Sequence, residues 1–169
     1  MTKLHRIEPG SKVDLAGIDP ADTSAGPADK ATAAEELAVL TARLAELQEQ
    51  LHAGGERRVL LVLQGLDTAG KGGTIEKVLG AVHPVGLRIT TFKAPTEEEL
   101  ARDYLWRVHA NVPRSGEIAV FDRSHYEDVL IVRVEGLVPE ERWRRRYDHI
   151  NAFEQLLVDE GTTVVKVLL

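Results

Sequence analysis

The sequence predicts an α/β fold, a parallel sheet flanked by helices, with an irregular N-terminal arm and one long helix ahead of it. Three observations point there. From residue 57 onward, apolar strand-like runs alternate with segments of helical period. The first run, Val-Leu-Leu-Val-Leu after a pair of arginines over 57–63, has no polar interruption, as suits a strand covered on both faces. Strands that alternate with helices are joined by right-handed crossovers and so lie parallel.

In chain order, residues 1–30 carry Pro9, Gly10, Gly17, Pro20, Gly26 and Pro27, the punctuation of an arm without regular structure. Leu37, Leu40, Leu44, Leu47 and Leu51 step by three and four, which predicts a helix over 31–52 ended by Gly54-Gly55. Its apolar stripe packs on its own domain or also pairs with a second subunit. The first strand, 57–63, leads through a glycine-rich turn to a helix over 73–82, broken by His83-Pro84. A second strand covers 87–92. Thr96 with Glu99 three residues later is a capping box, opening a helix to about 111, before Pro113. A third strand, 117–121, ends in Asp122. Pro139 opens a helix reaching Glu160, with Gly161 as its stop, and 162–169 is a fourth strand. Its apolar character suggests a central position and an architecture that continues beyond it. The organisation expected is an arm, 1–30, and one domain, 31–169.

Composition narrows the functions available. The chain has 169 residues, 43% hydrophobic and 28% charged, so one soluble globular domain is expected. No cysteine is present, which excludes disulfides, zinc–thiolate sites and a thiol nucleophile. The net charge is −6, against a basic nucleic-acid binder. Residues 1–56 hold 5 basic and 10 acidic side chains, whereas 57–169 hold 16 and 17, so a local basic surface is possible in the larger part. The charged start lacks the apolar run of a signal peptide, and no stretch approaches the ~18 apolar residues of a membrane span. A cytoplasmic protein with no membrane partner is the expectation.

After the first strand the chain reads Gly65-Leu66-Asp67-Thr68-Ala69-Gly70-Lys71-Gly72-Gly73-Thr74, the G-x-x-x-x-G-K pattern of a phosphate-binding loop. Glycines let successive N–H groups converge on phosphate oxygens, and the following helix adds its positive end. Gly65, Thr68, Ala69, Gly70, Lys71, Gly72, Gly73 and Thr74 are the candidate phosphate-binding residues, with Lys71 supplying a full charge. The usual hydroxyl residue after the lysine is Gly72, while Asp67 lies inside the loop. A carboxylate ~4 Å from a phosphate charge is repelled by roughly 4 kcal/mol at an effective dielectric near 20, which a cation between them relieves. Asp67 is therefore read as a Mg²⁺ ligand. Asp122, delivered by an apolar strand, has the layout of a Walker B acid and is expected to converge with Asp67 on the same metal. Arg123 beside it suits a phosphate. His125 reads as a loop histidine that orients its neighbours, and Glu127 and Asp128 as caps of the next helix. Arg142-Trp143-Arg144-Arg145-Arg146-Tyr147 is either a solvated helix face or a basic rim for a polyanion. Lys93, Arg102, Arg107, Arg114 and Arg133 are further anion-binding candidates.

Taken together, Gly65-x-Asp67-x-x-Gly70-Lys71-Gly72-Gly73-Thr74, Pro95-Thr96-Glu97-Glu98-Glu99-Leu100-x-x-Asp103-Tyr104-Leu105-Trp106-Arg107, Asp122-Arg123-Ser124-His125-Tyr126-Glu127-Asp128 and Asp19-Pro20-x-Asp22-Thr23-Ser24 resemble the polyphosphate kinase 2 family. The Ser-His-Tyr-Glu-Asp form is similar to members that phosphorylate nucleoside mono- and diphosphates. The resemblance implies a P-loop kinase-like phosphotransferase, reversible transfer between inorganic polyphosphate and a nucleotide (ADP or AMP, GDP or GMP), and Mg²⁺ as cofactor; a homo-oligomer is expected, for which the apolar helix at 31–52 leaves room. It implies Asp67 and Asp122 as the acidic pair for metal and catalysis, with Lys71 and Arg123 on the transferring phosphate and the polyphosphate chain. It also implies a lid module beyond the fourth strand, so the domain is expected to be incomplete at its C-terminus and to transfer weakly if at all. The alternatives are an ATP-dependent nucleotide kinase, against which Gly72 weighs, and a catalytically silent phosphate-binding or oligomerisation module.

Overall fold

The computed structural model describes residues 6–169 except Pro9 and Pro20; the reading of residues 1–5 and of those two prolines lies outside the described residues. The described part of the arm holds a single 3-10 turn, Leu15–Gly17, and turns in which Asp14, Asp19 and Asp22 carboxylates accept backbone N–H groups two residues on. Helix α1, Lys30–Gly54, starts where Asp29 accepts from the N–H groups of Ala31 and Thr32, and stops at Gly55.

Only part of the α1 leucine stripe is used for packing. Leu44 and Leu51 pack against the sheet, whereas Leu40 and Leu47 are exposed, as is Val39. The helix is instead pinned by polar groups. Gln48 is fully buried and donates to the Val85 carbonyl at 2.7 Å, and the His52 ring lies 3.2 Å from the Gly116 carbonyl.

The sheet comprises β1, Arg58–Gln64, β2, Leu87–Thr91, β3, Ile118–Asp122, and β4, Thr162–Leu168, in the spatial order β2-β3-β1-β4. Every pairing is parallel. Side chains alternate between two faces. Leu60, Val62, Ala119 and Phe121 meet Val108, Phe153 and Leu157 on one side. Leu63, Ile118 and Val120 meet Leu79 and Val82 on the other. The covering helices are α2, Lys71–Leu79, α5, Glu127–Val134, and α6, Glu140–Asp159, with two short helices, α3, Glu97–Leu100, and α4, Trp106–His109. Among the described residues no helix is long and apolar enough to cross a membrane.

One sequence expectation needs correction. The helix expected from Thr96 to about 111 is broken into α3 and α4. The capping box forms as read, but the Asp103 carboxylate accepts the Leu105 N–H at 3.0 Å, a local bond that competes with the helical ladder. Among the described residues β4 pairs with β1 and leaves its other side open, with Val165 and Leu168 exposed.

Gly86 sets the seat of α1. Its φ is +81°, and a Cβ there would lie 2.7 Å from His52 Nδ1 and 2.9 Å from Gln48 Nε2. Gly86→Ala is expected to destabilise the chain by at least the ~1–2 kcal/mol of a left-handed L-residue, read as a lower urea midpoint. Gly54→Ala, in open space near the end of α1, should shift the midpoint the other way by up to ~1 kcal/mol.

Candidate active site

Strands β1 and β3 are neighbours although a helix and β2 separate them in sequence, so the segments leaving their C-terminal ends lie side by side. From β1 the chain enters the glycine-rich loop. Thr68 and Gly70 both take positive φ, 73° and 91°, and the Ala69 N–H closes a turn on the Leu66 carbonyl. Gly70 is the N-cap of α2, and no side chain caps that end, so its first-turn N–H groups are left for a ligand. A Cβ added at Gly72 or Gly73 would meet nothing within 4 Å: the first turn of α2 borders open space. Thr74 sits one turn in, its N–H on the Gly70 carbonyl. Lys71 is buried, with Nζ donating to the carbonyls of Gly65 at 2.9 Å and Leu66 at 3.0 Å.

From β3 comes Asp122, paired in register with Leu63 on one side and Thr91 on the other; its Oδ2 accepts the Thr91 hydroxyl at 3.3 Å. Arg123 also takes a positive φ, 61°, while its N–H donates to the Leu63 carbonyl at 3.1 Å. That backbone turn sends the guanidinium across to the loop, where it pairs with Asp67 at 2.5 Å. Behind it, Gln64 bridges the two edges, its oxygen accepting from Ser124 and its nitrogen donating to Glu127 Oε1 at 3.2 Å. Burial raises the Glu127 carboxyl above its usual range, against the opposing pull of Arg123, Gln64 and Lys71.

Beneath this edge lies a buried polar knot. Glu154 of α6 accepts from the Tyr126 hydroxyl at 2.7 Å and from Lys166 Nζ of β4 at 2.6 Å, and faces His125 Nε2 at 3.3 Å. Burial pushes the Glu154 carboxyl up, but the hydrogen bonds from His125, Lys166 and Tyr126 outweigh it and hold the group at about 2. Tyr126 is pushed up to about 12 by burial, with the Glu154 carboxylate adding to it.

A cleft of about 910 Å³ opens beside Arg123 and Glu127 and runs along α6. Its wall contains Asp128, buried between Arg107 at 3.6 Å and Arg146 at 3.4 Å. Arg146 also lies over the Tyr104 ring and Arg107 over that of Phe92. Burial raises the Asp128 carboxyl despite both arginines. Lys93, Arg142 and Arg145 line the cleft without an ion pair to any described residue.

The structure thus assembles Gly65, Asp67, Thr68, Ala69, Gly70, Lys71, Gly72, Gly73 and Thr74 with Asp122 and Arg123 at one sheet edge. Arg133 does not join them. It is exposed at the end of α5 and stacks 5.2 Å over the Trp143 ring, away from both loop and cleft. Arg114 turns back to Glu117 through its N–H. The basic run of α6 divides by face: Arg144 pairs with Glu140, Arg146 is buried on Asp128, and Arg142 and Arg145 enter the cleft. Sequence reasoning missed Gln64, Glu127 as a site-facing group, and Glu154. The one signal available for Glu154 was a glutamate three residues from Leu157 and next to Phe153, on the apolar face of α6.

Among the described residues no group of three or more His, Asp or Glu side chains gathers as a ready-made metal cage. Asp67 and Asp122 on adjacent edges still fit Mg²⁺, which takes one or two carboxylates and completes its octahedron with waters and substrate phosphates.

Residues 27–169 match the family described as Polyphosphate kinase 2 (PPK2). The chain belongs to the polyphosphate kinase 2 family. It is 54% identical over 167 residues to an AMP/ADP-polyphosphate phosphotransferase of Meiothermus ruber, covering 99% of this chain and 62% of that protein. An ADP-polyphosphate phosphotransferase of Rhodopseudomonas palustris is 38% identical over 180 residues, again with 99% and 62% covered. The crystal structure of polyphosphate kinase 2 from Arthrobacter aurescens TC1 superposes with a TM-score of 0.92 at 49% identity, covering 99% of this chain and 60% of that one. The chain therefore spans about three fifths of the length of the relatives it matches. Its P-loop kinase-like fold is that of the family.

The Glu154 knot makes stability depend on acid. Its carboxyl is lower in the folded chain (about 2) than its ordinary 4.5, so the stabilisation is complete above pH ~4.5 and lost as pH falls toward ~2. Glu154→Gln should flatten that part of the stability profile, measured by urea unfolding between pH 2.5 and 6.

Proposed function

We propose that the protein is a Mg²⁺-assisted, polyphosphate-dependent nucleotide phosphotransferase, moving a phosphoryl group reversibly between inorganic polyphosphate and a nucleoside mono- or diphosphate. The observation that carries this reading is the pairing of Asp67 in the phosphate loop with Arg123, which in turn lines a cleft of about 910 Å³ that holds further cations. Relatives named as AMP/ADP- and ADP-polyphosphate phosphotransferases support it.

In this reading one anionic chain lies on the N–H groups of the loop and of α2, and the acceptor occupies the cleft. An acceptor phosphate oxygen attacks the terminal phosphorus of polyphosphate; a new P–O bond forms as the anhydride P–O bond behind it breaks. Such transfer needs positioning and neutralisation of spread negative charge more than covalent help. Lys71 leaves the Gly65 and Leu66 carbonyls for a phosphate oxygen, and Arg123 exchanges Asp67 for the transferring group. Asp67, so released, and Asp122 become available to the metal. Mg²⁺, when bound, supplies Lewis-acid neutralisation of phosphate oxygens. One anhydride replaces another, so the step is close to thermoneutral and runs both ways. The exposed Val39, Leu40 and Leu47 of α1 serve as a contact between subunits of a homo-oligomer, which sedimentation of the wild type against Leu40→Lys tests.

The decisive experiment incubates the chain with polyphosphate, Mg²⁺ and AMP or ADP, and follows the phosphorylated nucleotide. Product is expected with polyphosphate as donor to AMP and not with ATP in its place. Chelation of Mg²⁺ should stop turnover, and its return should restore it. Lys71→Ala and Asp67→Asn should each lower the rate by about 10²-fold or more, the scale for losing one charge-stabilising group. If tripolyphosphate binds but the wild-type chain shows no turnover and Asp67→Asn changes no rate, the chain is a silent phosphate-binding module instead.

A further inference from the structure

The four residues after Asp122 are held in an unusual way. Arg123 keeps a left-handed backbone at φ 61°, a strained conformation for an L-residue that must be held by its surroundings. Its own N–H bond to Leu63 fixes one side. The other side is fixed by the three residues that follow, all turned inward. Ser124 and His125 are completely buried. The Ser124 hydroxyl engages Gln64 and accepts the Tyr126 N–H at 3.1 Å. His125 and Tyr126 both end on one carboxylate oxygen, Oε1 of Glu154, at 3.3 and 2.7 Å. The second oxygen of Glu154 is held by Lys166, which also donates to the Tyr126 hydroxyl at 3.1 Å. The Tyr126 ring stacks on His125 with centroids 4.7 Å apart. One carboxylate thus ties together the β3 exit segment, α6 and β4, and touches neither the loop nor the cleft.

We propose that Glu154 is a positioning residue for Arg123, locking the Ser124-His125-Tyr126 segment from below so that the guanidinium is aimed across at the phosphate loop. This rests on the reading of Arg123 as a phosphate-binding group. Remote groups that lock a functional side chain act by pre-organisation, and they leave a signature: their effect disappears once the group they aim is removed.

The test is calorimetric titration of the 169-residue chain with tripolyphosphate. Four proteins are compared: wild type, Glu154→Gln, Arg123→Ala and the double variant, each checked for an unchanged far-ultraviolet spectrum and a melting point above the titration temperature. Glu154→Gln should weaken binding about tenfold, and Arg123→Ala more. In the Arg123→Ala background, Glu154→Gln should change Kd by less than twofold. Tyr126→Phe, which removes a single hydroxyl from the knot, should weaken binding about threefold, and it replaces Glu154→Gln in the same comparison if the latter does not fold. Wild-type affinity in both Glu154→Gln and Tyr126→Phe overturns the proposal, as does a full tenfold loss repeated without Arg123, which marks Glu154 as purely structural. A wild-type chain that does not bind tripolyphosphate overturns the phosphate-site reading itself, and the positioning role with it.

Discussion

The parallel pairing of β1 with β3 is the constraint on which the site depends. It sets Leu63 beside Asp122, so the two polypeptide exits that carry charge emerge within side-chain reach of each other. Each exit alone is chemically unremarkable: a glycine-rich loop whose lysine is bound to its own carbonyls, and an aspartate followed by an arginine. Their adjacency turns them into a paired unit, with Arg123 on Asp67 and Gln64 on Ser124 and Glu127. The two apolar layers serve that pairing. Leu60, Val62, Ala119 and Phe121 on one face, and Leu63, Ile118 and Val120 on the other, fix the register by burial on both sides.

Electrostatic order in the site follows from burial. The exposed pair, Asp67 with Arg123, is free to exchange partners, because solvent-screened ion pairs are weak. The buried group, Glu154, has its charge shared among three donors and is fixed. Asp128 is intermediate, desolvated but flanked by Arg107 and Arg146 in the cleft wall. The chain thus places its exchangeable charges at the exposed loop and its immobile ones behind them.

How much of this was legible in the sequence depended on whether the signal was local. The phosphate loop was, because its seven defining positions are contiguous. Asp122 and Arg123 were, because an uninterrupted apolar strand led to them. Capping and stopping residues, Thr96 with Glu99 and Gly55, marked their helix ends correctly. Arg133 was misplaced because an arginine late in a helix carries no sign of which face it takes; here an aromatic ring, Trp143, claimed it. The break between α3 and α4 turned on one side-chain bond from Asp103, a competition that helical spacing does not register. Glu154 and Lys166 lie 12 residues apart on a helix and a strand that read as amphipathic and apolar. Only the fold reveals that one neutralises the other.

The left-handed residues Thr68 and Arg123 carry a consequence for engineering. Glycine at either position would relax the backbone, so a search for heat-resistant variants will be drawn to both. At Arg123 such a gain would delete the guanidinium that pairs with Asp67. Thermal hardening of this protein therefore has to come from elsewhere, such as the seat of α1 or the rim of the sheet, if the Asp67–Arg123 pair is to survive it.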